Sequence, residues 1–152
     1  MRVAFGCDHG GWLLRAEVLD FLTSAGHEIT DLGPPDDAAS DYPDSAERVA
    51  RSVTAGEAEV GVLVCGTGIG MSIAANKVAG VRAAVAGDCY SARMARAHNG
   101  AQIICLGGRV VGPELARAIL AAFVEAEVDA DERHARRRHK IAAIETSSYG
   151  CS

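Results

Sequence analysis

Residues 62–77 read VLVCGTGIGMSIAANK. An apolar run ends at Cys65, glycines follow at 66, 68 and 70, and a helical pattern begins at about residue 69. Such a strand, apolar nearly throughout and leading through a glycine turn into a helix, is a unit of a parallel sheet covered on both faces.

The same alternation extends in both directions. Residues 2–5 read as a first strand that ends at GCDHGG. Apolar residues at 12, 13, 14, 18, 19, 21 and 22 form a helical stripe over 11–25, with Gly26 as its cap. A short second strand covers 28–32. The segment GPPDDAASDYPD, with three prolines and four acids, is a loop. Asp44 can cap a helix running to about residue 55. After the third strand at 60–64, a helix covers about 69–78. A strand at 82–86, a helix at 89–98, a strand at 102–106 and a helix at 113–126 follow. A polar break, EVDADE, precedes a last helix at 133–144. Five β-α units imply a three-layer α/β/α domain with a five-stranded parallel sheet and an extra C-terminal helix. Right-handed crossovers and five strands suit the Rossmann-like, flavodoxin-type order 2-1-3-4-5. One domain is expected over 1–146, with a flexible tail at 147–152.

In that order strands one and three are neighbours at the topological switch point, where ligands bind beyond the carboxyl ends. The loops CDHGG and CGTGIG should therefore face each other.

Composition narrows the function. Apolar residues make up 49% and charged residues 23% of 152, ordinary for a globular domain. The formal charge of −5 argues against a nucleic-acid binder. No apolar run reaches the ~18 residues of a membrane span, and no secretory segment is visible, so a cytoplasmic protein is expected. Five cysteines, at 7, 65, 89, 105 and 151, show no C-x-x-C spacing. They suggest neither a disulfide framework nor a zinc site, and by default each is a small buried hydrophobe.

The glycine run at 66, 68 and 70 can aim amides at an anion. It can also be a turn without a ligand. A dinucleotide loop needs G-x-G-x-x-G, and here Met71 fills the third slot, although Asp88 lies about 20 residues on, as a ribose-binding acid would. Cys65, ahead of a helix, suits a nucleophile or a general base. Asp8 and His9 end the first strand; Asp8 can equally cap the first helix. His98 and Asn99 end the fourth helix, where an imidazole can be a simple cap. Arg109 lies at the edge of the other loops, where it can also form a supporting salt bridge. Arg133 and Arg137, four apart on one helix face, can clamp a phosphate or merely form a solvated basic face.

Taken together, AFGCDHGG, DYPD, CGTGIGMSIAANK, AHN, GGRVVG, RHARRR and IAAIE, in this order, resemble the sugar-phosphate isomerases of the ribose-5-phosphate isomerase B type, a group that includes galactose-6-phosphate and allose-6-phosphate isomerases. The resemblance covers residues 1–146. It implies an aldose–ketose isomerase, most simply for ribose 5-phosphate and ribulose 5-phosphate, that works through a cis-enediolate without metal or cofactor. Another aldose phosphate of four to six carbons is the alternative; a flavodoxin-like nucleotide-binding module is a more distant one. By the same resemblance Cys65 is the general base, in a subgroup distinct from one that carries a glutamate where this chain has Met71. Thr67 shuttles protons between sugar oxygens, His98 opens the furanose ring and Asp8 holds its ring-oxygen end. Tyr42 and Asn99 bind hydroxyls. His9, Arg109, Arg133 and Arg137 hold the phosphate. Backbone amides from Gly66 through Gly68 and Gly70 to Ser72 stabilise the enediolate. The resemblance also implies a homodimer with a shared site, or a tetramer, with His98 and Asn99 supplied by the neighbouring subunit. No nucleic-acid or membrane partner is implied.

Overall fold

The third strand, β3 (Val60–Cys65), is buried at all six positions. Its centrality organises the rest of a computed structural model that describes residues 1–149. Around it lie β1 (Arg2–Cys7), α1 (Trp12–Ser24), β2 (Glu28–Asp31) and α2 (Tyr42–Thr54). After it come α3 (Ile69–Ala75), β4 (Ala83–Val85), α4 (Cys89–Ala97), β5 (Ile103–Gly107), α5 (Pro113–Val124) and α6 (Glu132–Tyr149). All strand pairs are parallel. This is the three-layer α/β/α fold expected.

The strand order is β2-β1-β3-β5-β4, so the last two strands are exchanged relative to expectation. The physical reason is burial. β5, with sequence IICLG, is buried at every position, as a strand covered on both faces must be. β4 has only three residues, AAV, all partly or fully exposed, and suits an edge. The connection through α3 therefore crosses over β5.

The alternation of side chains along each strand divides the core. Val3, Phe5, Val60, Val62, Val64, Ile104 and Leu106 pack with residues of α1, α4 and α5. Ala4, Leu63, Cys65, Ile103 and Cys105 pack with residues of α2 and α3. Cys65 therefore points to the α2–α3 face. Among the described residues no helix is long and apolar enough to cross a membrane.

Several boundaries moved. α2 starts before Asp44: Asp41 is its N-cap, and Pro43 sits in the first turn, where a missing N–H costs nothing. Ala25 caps α1, and Gly26 follows in the left-handed region. α6 continues through Tyr149, so the first residues of the expected tail are helical; its remainder, with Cys151, lies outside the described residues.

Close backbone packing joins β1 to β3. A β-carbon on Gly11 would sit 2.2 Å from the Val64 carbonyl oxygen, so only glycine lets α1 begin there. Gly11→Ala should destabilise the fold by about 3 kcal/mol, the upper end for overpacking. That corresponds to a Tm lower by roughly 6–12 °C for a chain of this size. Gly87→Ala, where an added carbon meets nothing within 4 Å, is the control and should change Tm little; thermal denaturation of both checks it.

Candidate active site

Three loops meet beyond the carboxyl ends of β1, β3 and β5. The Asp8 amide donates to the Val64 carbonyl (3.2 Å), the Gly108 amide to the Cys65 carbonyl (2.7 Å) and the Arg109 amide to the Gly66 carbonyl (3.1 Å). A β-carbon on Gly10 would lie 2.8 Å from the Gly66 nitrogen, and one on Gly108 would lie 2.8 Å from the Gly10 oxygen. The loops CDHGG and CGTGIG do face each other, and the loop after β5 closes the third side.

Cys65 is buried at the last position of β3. Its Sγ accepts a hydrogen bond from the Gly68 amide at 3.1 Å. Gly68 has φ +78°, a conformation that side chains resist, and caps α3. The left-handed turn thus bends the chain back so that its own amide reaches the sulfur. Thr67 is exposed, and its Oγ1 accepts from the Ile69 amide at 3.3 Å. The Tyr42 ring lies over Gly70, 2.8 Å from where a β-carbon would be, which brings the DYPD segment to the glycine loop. Asp8 is buried, and its Oδ1 accepts from the Gly11 amide at 2.9 Å, so part of its work is to hold the start of α1. His9 and Arg109 are exposed on the same rim, and the Arg109 side chain lies against Gly66.

Two expectations are adjusted by the geometry. Ser72 has partners inside the chain for both of its groups: its hydroxyl donates to the Ala83 carbonyl at 3.1 Å and its amide to the Gly68 carbonyl at 3.1 Å. It ties the loop to β4. Asp88 is the N-cap of α4, with one carboxylate oxygen on the Ser91 amide and the other on the Ser91 hydroxyl, both at 2.7 Å. Those bonds hold its carboxyl below the usual range. Asp88, which stood at the spacing of a ribose-binding acid, is committed to the cap, and Met71, which fills the third glycine slot, is fully buried in the core, so neither position supports a dinucleotide.

The cysteines separate by environment. Burial pushes the Cys7 thiol up to about 11, with Asp31 and Asp8 adding to the effect against the opposing pull of Arg15. Burial pushes Cys105 further up, with Cys65 as a neighbour. Both are held as thiols, as filler should be.

The remaining candidates lie elsewhere in the chain. Helices between parallel strands run antiparallel to them, so α4 and α5 end at the amino edge of the sheet, opposite Cys65. His98 is the C-cap residue of α4 there, its backbone amide donating to the Met94 carbonyl. The turn that follows is held by arginines. Arg138 donates to the His98 carbonyl (3.1 Å), Arg82 Nε to the carbonyls of Asn99 and Gly100 (3.0 Å each) and Arg96 to the Ala101 carbonyl (3.1 Å). Arg133 and Arg137, both exposed, start α6 beside this turn. A groove of about 1200 Å³ between α4, α5 and residues 125–130 ends at His98 and Asp129 and does not reach Cys65. One chain therefore joins Asp8, His9, Tyr42, Cys65, Gly66, Thr67, Gly68, Gly70 and Arg109, and places His98, Asn99, Arg133 and Arg137 at the opposite edge. Arg82, His134 and Arg138 were not singled out from sequence; the cue was the i, i+4 spacing of His134 and Arg138, which puts both on the α6 face toward the turn.

The first edge offers a buried thiol with an amide on its sulfur, spare amides, a hydroxyl and a cationic rim. That set can move a proton next to a developing oxyanion on a small phosphorylated molecule. Comparison with known proteins is consistent with such chemistry. The profile of the family described as Ribose/Galactose Isomerase matches residues 3–141. Ribose-5-phosphate isomerase B of Escherichia coli is 45% identical over 144 residues, covering 95% of this chain and 96% of that protein. D-erythrulose-4-phosphate isomerase of Pectobacterium atrosepticum is 44% identical over 130 residues, covering 85% and 86%. The structure of Clostridium thermocellum ribose-5-phosphate isomerase B superposes with a TM-score of 0.95 at 47% identity, covering 97% of this chain and 99% of that one. This chain belongs to the ribose/galactose isomerase family.

Proposed function

We propose that this protein is an aldose–ketose isomerase that interconverts ribose 5-phosphate and ribulose 5-phosphate in the cytoplasm, without a resident metal or cofactor. The observation that carries the proposal is Cys65: a buried thiol, hydrogen-bonded to the Gly68 amide within a glycine loop, in a chain of this family. As its thiolate, Cys65 takes the proton from C2 of the open-chain aldose, and the thiol so formed returns it to C1. The electron pair left at C2 forms the C1–C2 double bond of a cis-enediolate. Reprotonation at C1 regenerates a carbonyl, now at C2, so no atom is gained or lost. Thr67 passes the hydroxyl proton between O1 and O2. Of the amides at the start of α3, that of Gly68 is on sulfur, that of Ile69 on Thr67 and that of Ser72 inside the helix. Those of Gly70 and Met71 have no intrahelical acceptor at this helix start and are the donors for the enediolate oxygen.

Phosphate binding is the remote handle that positions C1 and C2. His9 and Arg109 hold it from the rim beside the glycine loop. Arg133 and Arg137 complete the clamp, His98 opens the ring, Asp8 holds the ring-oxygen end, and Tyr42 and Asn99 bind hydroxyls. Since one chain separates these groups, the working unit is a homodimer, in which the partner subunit supplies the amino-edge set. Surface apolarity supports association next to the site: Ile69 and Ile73, one turn apart on α3, are 55% and 58% exposed, and Val110, after β5, is 64% exposed.

Cys65→Ala should lower kcat by about 10²–10⁴-fold, the usual contribution of a general base. Deuterium incorporation at C2 in D₂O, followed by NMR, should vanish with it while phosphate binding persists; exchange at the wild-type rate would remove Cys65 as the base. Comparing kcat/KM across tetrose, pentose and hexose phosphates tests the sugar, and a pentose optimum is expected. A shared site makes a further demand. Cys65→Ala and His98→Asn chains, each inactive alone, should regain about one quarter of wild-type activity after mixed refolding, because random pairing in a twofold dimer restores that share of sites. No recovery would place both residues in one subunit's site.

A further inference from the structure

His134 takes no part in the mechanism above. It is buried near the start of α6, where an imidazole must find partners. Its ring lies 4.0 Å from that of His98, stacked at an interplanar angle of 19°. Its Nε2 lies 3.1 Å from Arg133 Nη2 and 3.9 Å from Asp129 Oδ2. A guanidinium only donates, so Nε2 is the acceptor and the ring is the neutral Nδ1–H tautomer. Burial, then His98 and Arg133, hold its pKa below the usual imidazole value against the opposing pull of Asp129 and Asp131. From α6, Arg138 fixes the other side of the same turn through the His98 carbonyl.

The ring nitrogens of His98 and His134 and the Asp129 carboxylate lie within 4.8 Å of one another, as metal ligands would. The orientation is wrong for that role. Imidazole lone pairs lie in the ring plane, and two nearly parallel stacked rings do not converge them on one ion. The Arg133 guanidinium also occupies Nε2 and would repel a cation.

What remains is a single neutral ring touching the ring-opening histidine with its face and a phosphate-holding arginine with its edge. We infer that His134 is a positioning residue: its face sets the plane of His98 and its Nε2 sets the Arg133 guanidinium, so that the sugar-ring end and the phosphate end of the substrate are held at one spacing. The inference rests on the isomerase reading for the roles of His98 and Arg133, and its test separates the two.

Two substitutions divide the contacts. His134→Phe keeps an aromatic face on His98 and removes the acceptor. His134→Gln keeps an acceptor oxygen within reach of Arg133 and removes the ring. With ribose 5-phosphate, His134→Phe should raise KM roughly tenfold and leave kcat close to wild type, the loss expected for a hydrogen bond to a charged group. His134→Gln should keep KM and lower kcat roughly tenfold through a misplaced His98. Titration with inorganic phosphate needs no turnover: Kd should rise roughly tenfold in His134→Phe and stay unchanged in His134→Gln. Thermal melting of both identifies a variant that fails to fold, and the other variant then decides through its own constant. Equal phosphate affinity in all three proteins, or kcat and KM moving together in both variants, overturns the inference. Wild-type protein inactive on every aldose phosphate overturns the isomerase reading instead, and the phosphate titration still decides the Arg133 contact.

Discussion

The hydrogen bond from the Gly108 amide to the Cys65 carbonyl, 2.7 Å long, closes the end of β5 onto the end of β3. The rest of the site is built on that closure. It carries the Arg109 backbone to Gly66 and leaves the glycine loop one path, in which Gly68 turns left-handed and delivers its amide to the cysteine sulfur. On the other flank Gly10 and Gly11 let β1 and α1 approach the same strand end. The Cys65 thiol is thus held by backbone on three sides. Backbone groups already ordered by the fold stay put when charge develops nearby.

The opposite edge of the sheet is built on another principle. The turn after α4 would leave several carbonyls exposed, and Arg82, Arg96 and Arg138 donate to them. Cations at a helix C-terminus also suit its dipole. The chain carries a net charge of −5, yet this corner gathers guanidinium groups beside His98 and His134. A local positive potential of that kind attracts an anionic substrate regardless of the total charge. The two edges lie on opposite sides of one sheet, which is why the proposed mechanism calls for two chains.

Much of the architecture could be read from local pattern. Helical stripes, apolar strands and glycine turns repeat with little ambiguity, and the neighbouring positions of β1 and β3 brought two chemically suggestive loops together. The exchange of β4 and β5 was not legible in that way. Consecutive strands usually pair, and only burial on both sides distinguishes IICLG from AAV. Asp88 likewise stood at the spacing of a ribose-binding acid, and only its bonds to Ser91 showed a cap. Spacing alone cannot tell a ligand-binding carboxylate from one that satisfies its own helix.

By itself the sequence determined the α/β layering, the glycine loop after a central strand, and the candidates Cys65, Asp8, His98, Arg109 and the pair Arg133 and Arg137. These rest on short-range chemistry: side-chain period, turn propensity and motif spacing. Tertiary structure decided which of those residues share an edge, that Ser72 is tied to β4, that Cys7 and Cys105 are held as thiols, and that His134 joins His98 to Arg133. These depend on contacts between residues far apart in the chain, such as the 4.0 Å stacking of residues 98 and 134. Such contacts are set by how whole layers pack, and no local pattern encodes the distance between them.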